Sequence, residues 1–196
     1  MSPPRTPGSE HTGQPCLCAA AFERGFTLIE LLVTIAIGVL LMVVAVPSFI
    51  DFRRNANLSD AVSSFILANG TAKSTALKTG NNVFIEVNDA AIGWRSGWFV
   101  YIDKGWNNTY DAADDEVVLR HEELSADVVT TTPGATTLTD GYVLFNGSGF
   151  PRAKLGAFGN SRLTMATTTR GTNVFIDTSG RVRACRAGVD PGCPAL

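Results

Sequence analysis

Gly25–Pro47, GFTLIELLVTIAIGVLLMVVAVP, is the stretch from which the reading of this chain proceeds. Between Phe26 and Ile50, Glu30 is the one ionisable side chain. An apolar run of about 20 residues is long enough to cross a bilayer as a helix. A carboxylate inside such a run costs roughly 2.5–3.5 kcal/mol at mid-membrane, so its presence calls for a cause. Glu30 stands five residues into the segment that begins at Phe26. Were the chain cut after Gly25, that carboxylate would come within reach of the N-terminal amine of a neighbouring copy. A secretory signal reads differently, because small residues suited to cleavage follow its apolar core.

Before this run, Met1–Gly25 carries Pro3, Pro4, Pro7, Gly8, Gly13 and Pro15 and no periodic segment, so it is expected to be disordered. Within the run, Pro47 lacks an N–H and clashes with the carbonyl of Val43, which predicts a kink or a loosened turn. Gly38 adds a second weak point. After it, Asp51–Thr79 is predicted to continue as an amphipathic helix. Leu58, Val62, Phe65, Ile66 and Ala72 recur at helical spacing, with Arg53, Asn57, Asp60, Ser64 and Lys73 on other faces. Gly80 suits a left-handed cap at its end.

Beyond Asn82 the period changes to two. Strands are predicted at Val83–Asn88, Gly97–Asp103, Glu116–His121, Ala126–Thr131, Tyr142–Asn146, Arg162–Ala166, Thr172–Asp177 and Arg181–Cys185. The runs Thr130–Thr139 and Thr167–Thr172 are predicted as Thr-rich loops. One long helix followed by strands gives an α+β fold, the helix packed on antiparallel β-sheets. Four segments result: a leader at 1–25, a membrane half of the helix at 26–50, an amphipathic half at 51–79, and a β-rich domain at 80–196.

The string RGFTLIELLVTIAIGVLL resembles the cleavage and methylation signal of type IV pilins and type II secretion pseudopilins. Two further blocks narrow the resemblance. Gly97–Arg120, GWFVYIDKGWNNTYDAADDEVVLR, and Val174–Cys185, VFIDTSGRVRAC, are similar to blocks of the GspH/FimT branch of minor pilins and pseudopilins. The long leader and the long Thr-rich loop depart from that branch. The resemblance implies that a prepilin peptidase cuts between Gly25 and Phe26, that Phe26 becomes N-methylated, and that Glu30 pairs with a neighbour's amine in assembly. Pro47 falls where many pilins carry a helix-weakening proline. The implied setting is the inner membrane, crossed once, with the C-terminal domain in the periplasm before the subunit enters a pilus or pseudopilus. Other pilins, the peptidase and an inner-membrane assembly platform are the implied partners. No cofactor is implied.

In that setting Cys185 and Cys193, the pair that remains once Cys16 and Cys18 leave with the leader, are expected to form a short-loop disulfide. The rival reading is zinc. It needs three or four ligands, and the other candidate in the mature chain is His121.

Net charge is −2, but it is unevenly spread. Asn81–Gly149 holds eleven acids against Arg95, Lys104 and Arg120, whereas Phe150–Leu196 holds seven bases against Asp177 and Asp190. The last quarter therefore has the sign to attract a polyanion, or to neutralise the acidic middle as a solvated surface. Within it, Gly180-Arg181-Val182-Arg183 is the sharpest functional candidate. Arg181 and Arg183 fall on one face of a strand, Arg186 is expected close by through the bridge to Cys193, and Arg152 and Lys154 are candidates to extend the patch. Such a group suits a phosphate clamp. In competence-associated members of the branch, a Gly-Arg-x-Arg tail is implicated in DNA binding. The competing reading pairs these arginines with Asp177 or Asp190.

Two other clusters are read as structural. The acidic loop Asp103, Asn107, Asn108, Asp111, Asp114, Asp115 and Glu116 has oxygens enough for Ca²⁺, yet its spacing does not fit an EF-hand and its residues are common turn formers. Trp98 is predicted to pack inward with Val100, while Trp94 and Trp106 are open to either core or contact roles. One His in the mature chain, and no nucleophile–base or metal-ligand spacing, argue against an enzyme. Two functions follow: a subunit acting in assembly or secretion, or a DNA-binding minor pilin acting in DNA uptake.

Overall fold

The computed structural model describes residues 25–133, 136–155 and 160–195, so the reading of residues 1–24 lies outside the described residues. Helix α1, Leu28–Thr79, continues through Pro47. The chain divides between Val43 and Val44 into two compact units. In the first, the apolar side chains from Phe26 to Val43 stand exposed all round the helix. α1 is the one helix among the described residues long and apolar enough to cross a membrane. Such an all-round apolar surface suits lipid rather than water.

The second unit holds the rest of α1 and the strands β1 (Asn82–Val87), β2 (Trp98–Asp103), β3 (Glu116–His121), β4 (Val129–Thr131), β5 (Tyr142–Phe145), β6 (Pro151–Arg152), β7 (Ser161–Ala166), β8 (Gly171–Ile176) and β9 (Val182–Arg186). A 3₁₀ turn, Gly93–Ser96, precedes β2. All eight predicted strands are present within a few residues of their predicted bounds. The Ala126–Thr131 strand is shortened because Val128 N donates to Ser125 O, which closes a turn ahead of it. The predicted loop Thr130–Thr139 starts inside β4, and residues 134 and 135 lie outside the described residues. Thr167–Arg170 is the turn between β7 and β8. The two-residue β6 is too short to carry an alternation signal.

The strands form two antiparallel sheets. The first has the order β3-β2-β1-β5-β6 and the second β4-β7-β8-β9. Alternate residues face the core: Val83, Ile85, Trp98, Val100, Val143 and Phe145 from the first sheet, and Leu163, Met165, Val174 and Ile176 from the second. They meet one stripe of α1, in which Leu58, Ala61, Val62, Phe65, Ala68, Ala72 and Ala76 are buried at helical spacing. Phe65 stands edge-on to Trp94 and Trp98, with ring centroids 5.2 and 5.3 Å away. The alanines of the stripe let the sheets approach the upper helix closely.

A second, smaller cluster lies on the outer face of the first sheet. Phe84, Phe99, Tyr101, Tyr142 and Leu144 pack there, and Tyr110 from the β2–β3 loop covers them. Burial, and then the neighbouring Glu86 carboxylate that accepts the Tyr101 hydroxyl at 3.0 Å, hold the Tyr101 phenol well above the usual range.

Candidate functional site

The start of α1 is fixed by its own sequence. Thr27 Oγ1 accepts the backbone N–H of Glu30 at 3.2 Å. Thr27-Leu28-Ile29-Glu30 is thus a capping-box sequence, with the carboxylate in the first turn, where the helix dipole favours negative charge. The signal for it is a Thr three residues before a Glu. Glu30 is exposed and makes no ion pair among the described residues. Phe26 is exposed beside it.

At the other end of the chain, Asp177–Arg181 forms the turn between β8 and β9. The Asp177 Oδ1 atom accepts the Ser179 hydroxyl at 2.6 Å, the Ser179 N–H at 3.1 Å and the Arg181 N–H at 3.0 Å. These bonds, the Ser179 hydroxyl first, hold the Asp177 carboxyl below the usual carboxylate range, with a smaller contribution from the charge of Arg183. Gly180 has φ +73°, and a Cβ there would lie 3.2 Å from Gly149 O, from the Phe145 ring and from Pro151. Lys73 of α1 donates to Ser179 O at 3.2 Å and Gly180 O at 3.4 Å. The turn is therefore held against both the helix and the β5–β6 connection.

This anchored turn presents Arg181 and Arg183 to solvent on one face of the strand. The competing ion pairs with Asp177 and Asp190 are not formed: neither arginine, nor Arg186, makes a salt bridge among the described residues. Register adds two residues that the linear pattern does not single out. Arg162, Phe175 and Arg183 are directly opposite one another across β7, β8 and β9. The Arg183 guanidinium lies over the Phe175 ring at 5.8 Å. Only the pairing of the strands reveals this row.

Arg186 parts from the other two. Strand alternation puts it with Val182 and Ala184 on the face turned toward α1, and it lines a cleft beside Ser59, Val62 and Ser63. Arg152 and Lys154 lie on the first sheet instead. Arg152 is paired with Leu144, on the outer face. Lys154 Nζ sits over the Phe84 and Tyr142 rings at 5.2 and 4.8 Å. No contact among the described residues joins either side chain to Arg181 or Arg183.

Cys185 and Cys193 are disulfide-bonded, with Cα atoms 6.0 Å apart. Beside the bridge, buried Asn173 accepts from Thr164 Oγ1 at 2.7 Å and donates to Pro194 O at 2.8 Å, pinning the tail across the second sheet. In the acidic loop the carboxylates serve the backbone. Asp103 accepts from Asn107 N and Asn108 N, and Asp115 accepts from Lys104 N and Asp111 N. Trp94 and Trp98 are core residues, 3% and 0% exposed, whereas Trp106 is 60% exposed.

Residues 61–180 match the family model described as type II transport protein GspH, and residues 21–46 match the prokaryotic N-terminal methylation motif. Prepilin peptidase-dependent protein D of Escherichia coli (strain K12) is 36% identical over 58 residues. That alignment takes in 30% of this chain and 40% of the relative, so this chain spans less than half the length of that relative. The type IV minor pilin FimU of Pseudomonas aeruginosa (strain PAO1) superposes with a TM-score of 0.52 at 13% identity, covering 70% of this chain and 97% of that one. The minor pseudopilin EpsH of the Vibrio cholerae type 2 secretion system aligns with a TM-score of 0.44 at 12% identity, over 67% of this chain and 98% of that one.

Proposed function

This chain belongs to the GspH family of pilin-like structural subunits, and from that membership we propose that it is a minor subunit processed at Gly25–Phe26 and built into a type IV pilus or secretion pseudopilus through α1. The single observation that carries the reading is the apolar stretch Phe26–Val43, exposed all round, whose one charged side chain is Glu30 in the first turn of the helix. A subunit of this kind works by lateral packing of helices, with Glu30 neutralising the methylated amine of Phe26 in the next subunit. In this reading residues 1–25 are the leader, 26–50 span the inner membrane, 51–79 carry the core stripe and 80–196 form the periplasmic domain.

Co-expression with a prepilin peptidase tests the reading. Mass spectrometry of the product should show a chain beginning at Phe26 and carrying one methyl group, and Gly25→Val should block both changes. A chain that keeps residues 1–25 under these conditions would sink it.

A second reading, DNA contact by the same subunit, is favoured by one observation: Arg181 and Arg183 are exposed side by side and unpaired on an anchored turn. Removing one phosphate-binding cation lowers the salt dependence of binding by about one unit of log K against log salt. Arg181→Ala/Arg183→Ala should therefore weaken duplex binding and flatten its salt slope by about two. An unchanged slope would leave assembly as the only role.

A further inference from the structure

Phe175 stands where the core does not need it. It is the one aromatic side chain in β4, β7, β8 and β9. Its neighbours along β8, Val174 and Ile176, point into the core, so alternation turns Phe175 outward. It belongs to neither apolar cluster of the described residues and stays part-exposed. The outer face of the first sheet is built differently: there Phe99 and Tyr101 are covered by Tyr110, each with ring centroids 5.1 Å from it. Register sets an arginine on either side of Phe175. Arg162 on β7 and Arg183 on β9 are its direct cross-strand neighbours. Neighbouring strands lie about 4.8 Å apart, so the two arginines flank the ring evenly. Arg183 is exposed, Arg162 is part-exposed, and neither makes an ion pair among the described residues. Exposed Arg181 prolongs the row toward the turn. Asp177, the carboxylate at that end, has one oxygen engaged by three donors of its own turn.

A ring between two cations distinguishes two forms of nucleic acid. A duplex keeps the faces of its bases stacked inside and presents phosphates, for which the guanidiniums are sufficient. A single strand also presents base faces. These stack on aromatic side chains at sheet surfaces while cations hold the flanking phosphates. In the free protein the Arg183 guanidinium lies 5.8 Å from the Phe175 centroid, near the outer limit of a cation–π contact. Stacking of a base on an aromatic ring is stronger than a cation–π contact at an exposed site. A base can therefore take the ring as the guanidinium turns to the adjoining phosphate.

We propose that the Arg162–Phe175–Arg183 row binds single-stranded nucleic acid, with one base stacked on Phe175 and the phosphates on either side of that base held by Arg162 and Arg183. The inference rests on the DNA-contact reading above and deepens it. It names the unpaired strand as the ligand and adds Phe175 and Arg162 to a site that Arg181 and Arg183 alone would make indifferent to strandedness.

The test uses the full chain in non-ionic detergent micelles with its disulfide intact. The probes are a short labelled oligothymidylate carrying a single iodouracil, and the duplex it forms with its complement. Fluorescence anisotropy reads affinity, and irradiation followed by mass spectrometry reads which residue the iodouracil base touches. Phe175→Leu should weaken oligothymidylate binding by at least about fivefold and leave duplex binding unchanged. Phe175→Trp should keep both, and Arg162→Gln should flatten the single-strand salt slope by about 0.7. The cross-link should fall on Phe175 with the single strand and be missing with the duplex. An unaltered melting curve identifies Phe175→Leu as folded; should it fail to fold, the wild-type cross-link and the Arg162→Gln slope carry the same decision. Undiminished oligothymidylate binding by folded Phe175→Leu overturns the inference, as does an equal loss for both probes or a single-strand cross-link that misses Phe175. With duplex binding still dependent on Arg181 and Arg183, any of these leaves the DNA-contact reading standing. Failure of both probes to bind at low salt overturns that reading and this inference with it.

Discussion

Asp177 and Gly180 show how much of the exposed tail depends on two residues that are not themselves cations. Asp177 is a turn residue first, since three donors converge on one of its oxygens. Its folded-state carboxyl titrates below the usual range, so the stability it contributes is present above the ordinary Asp pKa of about 3.9 and is lost as pH falls through the lowered folded value. The turn should therefore hold at neutral pH and loosen only in strong acid. Amide exchange at Ser179 and Arg181 measured down a pH series should report this, and Asp177→Asn should remove the pH dependence. Gly180 is constrained by conformation and space together: Gly180→Ala puts a side chain at positive φ against Gly149, Phe145 and Pro151. A left-handed non-glycine residue costs roughly 1–2 kcal/mol, to which the contacts add. Thermal unfolding should show that loss, and Arg181 and Arg183 should lose their fixed presentation with it. In the core, Phe65→Ala empties the space between Trp94 and Trp98 and is expected to cost ~3–5 kcal/mol by denaturant unfolding.

Among the elements, those with strong periodic signals were legible in the sequence. The stripe Leu58, Val62, Phe65 and Ala72 is buried as the 3.6-residue period requires, and Ile66 packs at its margin. Trp98 and Val100 point inward as alternation requires. The grouping of Arg186 with Arg181 and Arg183 fails for a physical reason. Nearness along the chain and a shared disulfide do not make nearness in space, because the two-residue period of β9 turns Arg186 to the other face. Arg162 and Phe175 were out of reach because cross-strand rows depend on which strands pair and in what register, and a buried face excludes a one-residue slip but not a two-residue one. The element that most depends on a covalent tie is the tail after β9. Its bridge closes a separation of 8 residues, beside the buried Asn173 bonds. Loop-closure entropy for so short a ring is worth roughly 2–3 kcal/mol. Cys185→Ala/Cys193→Ala should lower stability by about that amount, and a reducing agent should do the same to the wild type while leaving the double variant unmoved.

At the scale of the molecule, two requirements pull on one residue. Residence in the bilayer asks that Phe26–Ile50 carry no charge, and a carboxylate at mid-membrane costs roughly 2.5–3.5 kcal/mol. The Thr27 cap and the helix dipole relieve part of that cost at the helix start, where Glu30 sits in the first turn. An amine supplied by a neighbouring subunit would relieve more, and only within an assembly. Under the proposed reading the same side chain would weaken the free membrane state and strengthen the packed one. Glu30→Leu should move the two in opposite directions. The variant should partition at least as firmly into the membrane fraction and still be cut after Gly25, yet be missing from sheared fibres. Glu30→Gln, which keeps the shape and loses the charge, should behave like Glu30→Leu if charge pairing is the cause. Quantifying the subunit in membrane and fibre fractions for both variants separates the cases. Normal incorporation of either would mean that the carboxylate serves as a helix cap alone, and that lateral packing of the apolar surface is sufficient to draw the subunit out of the bilayer.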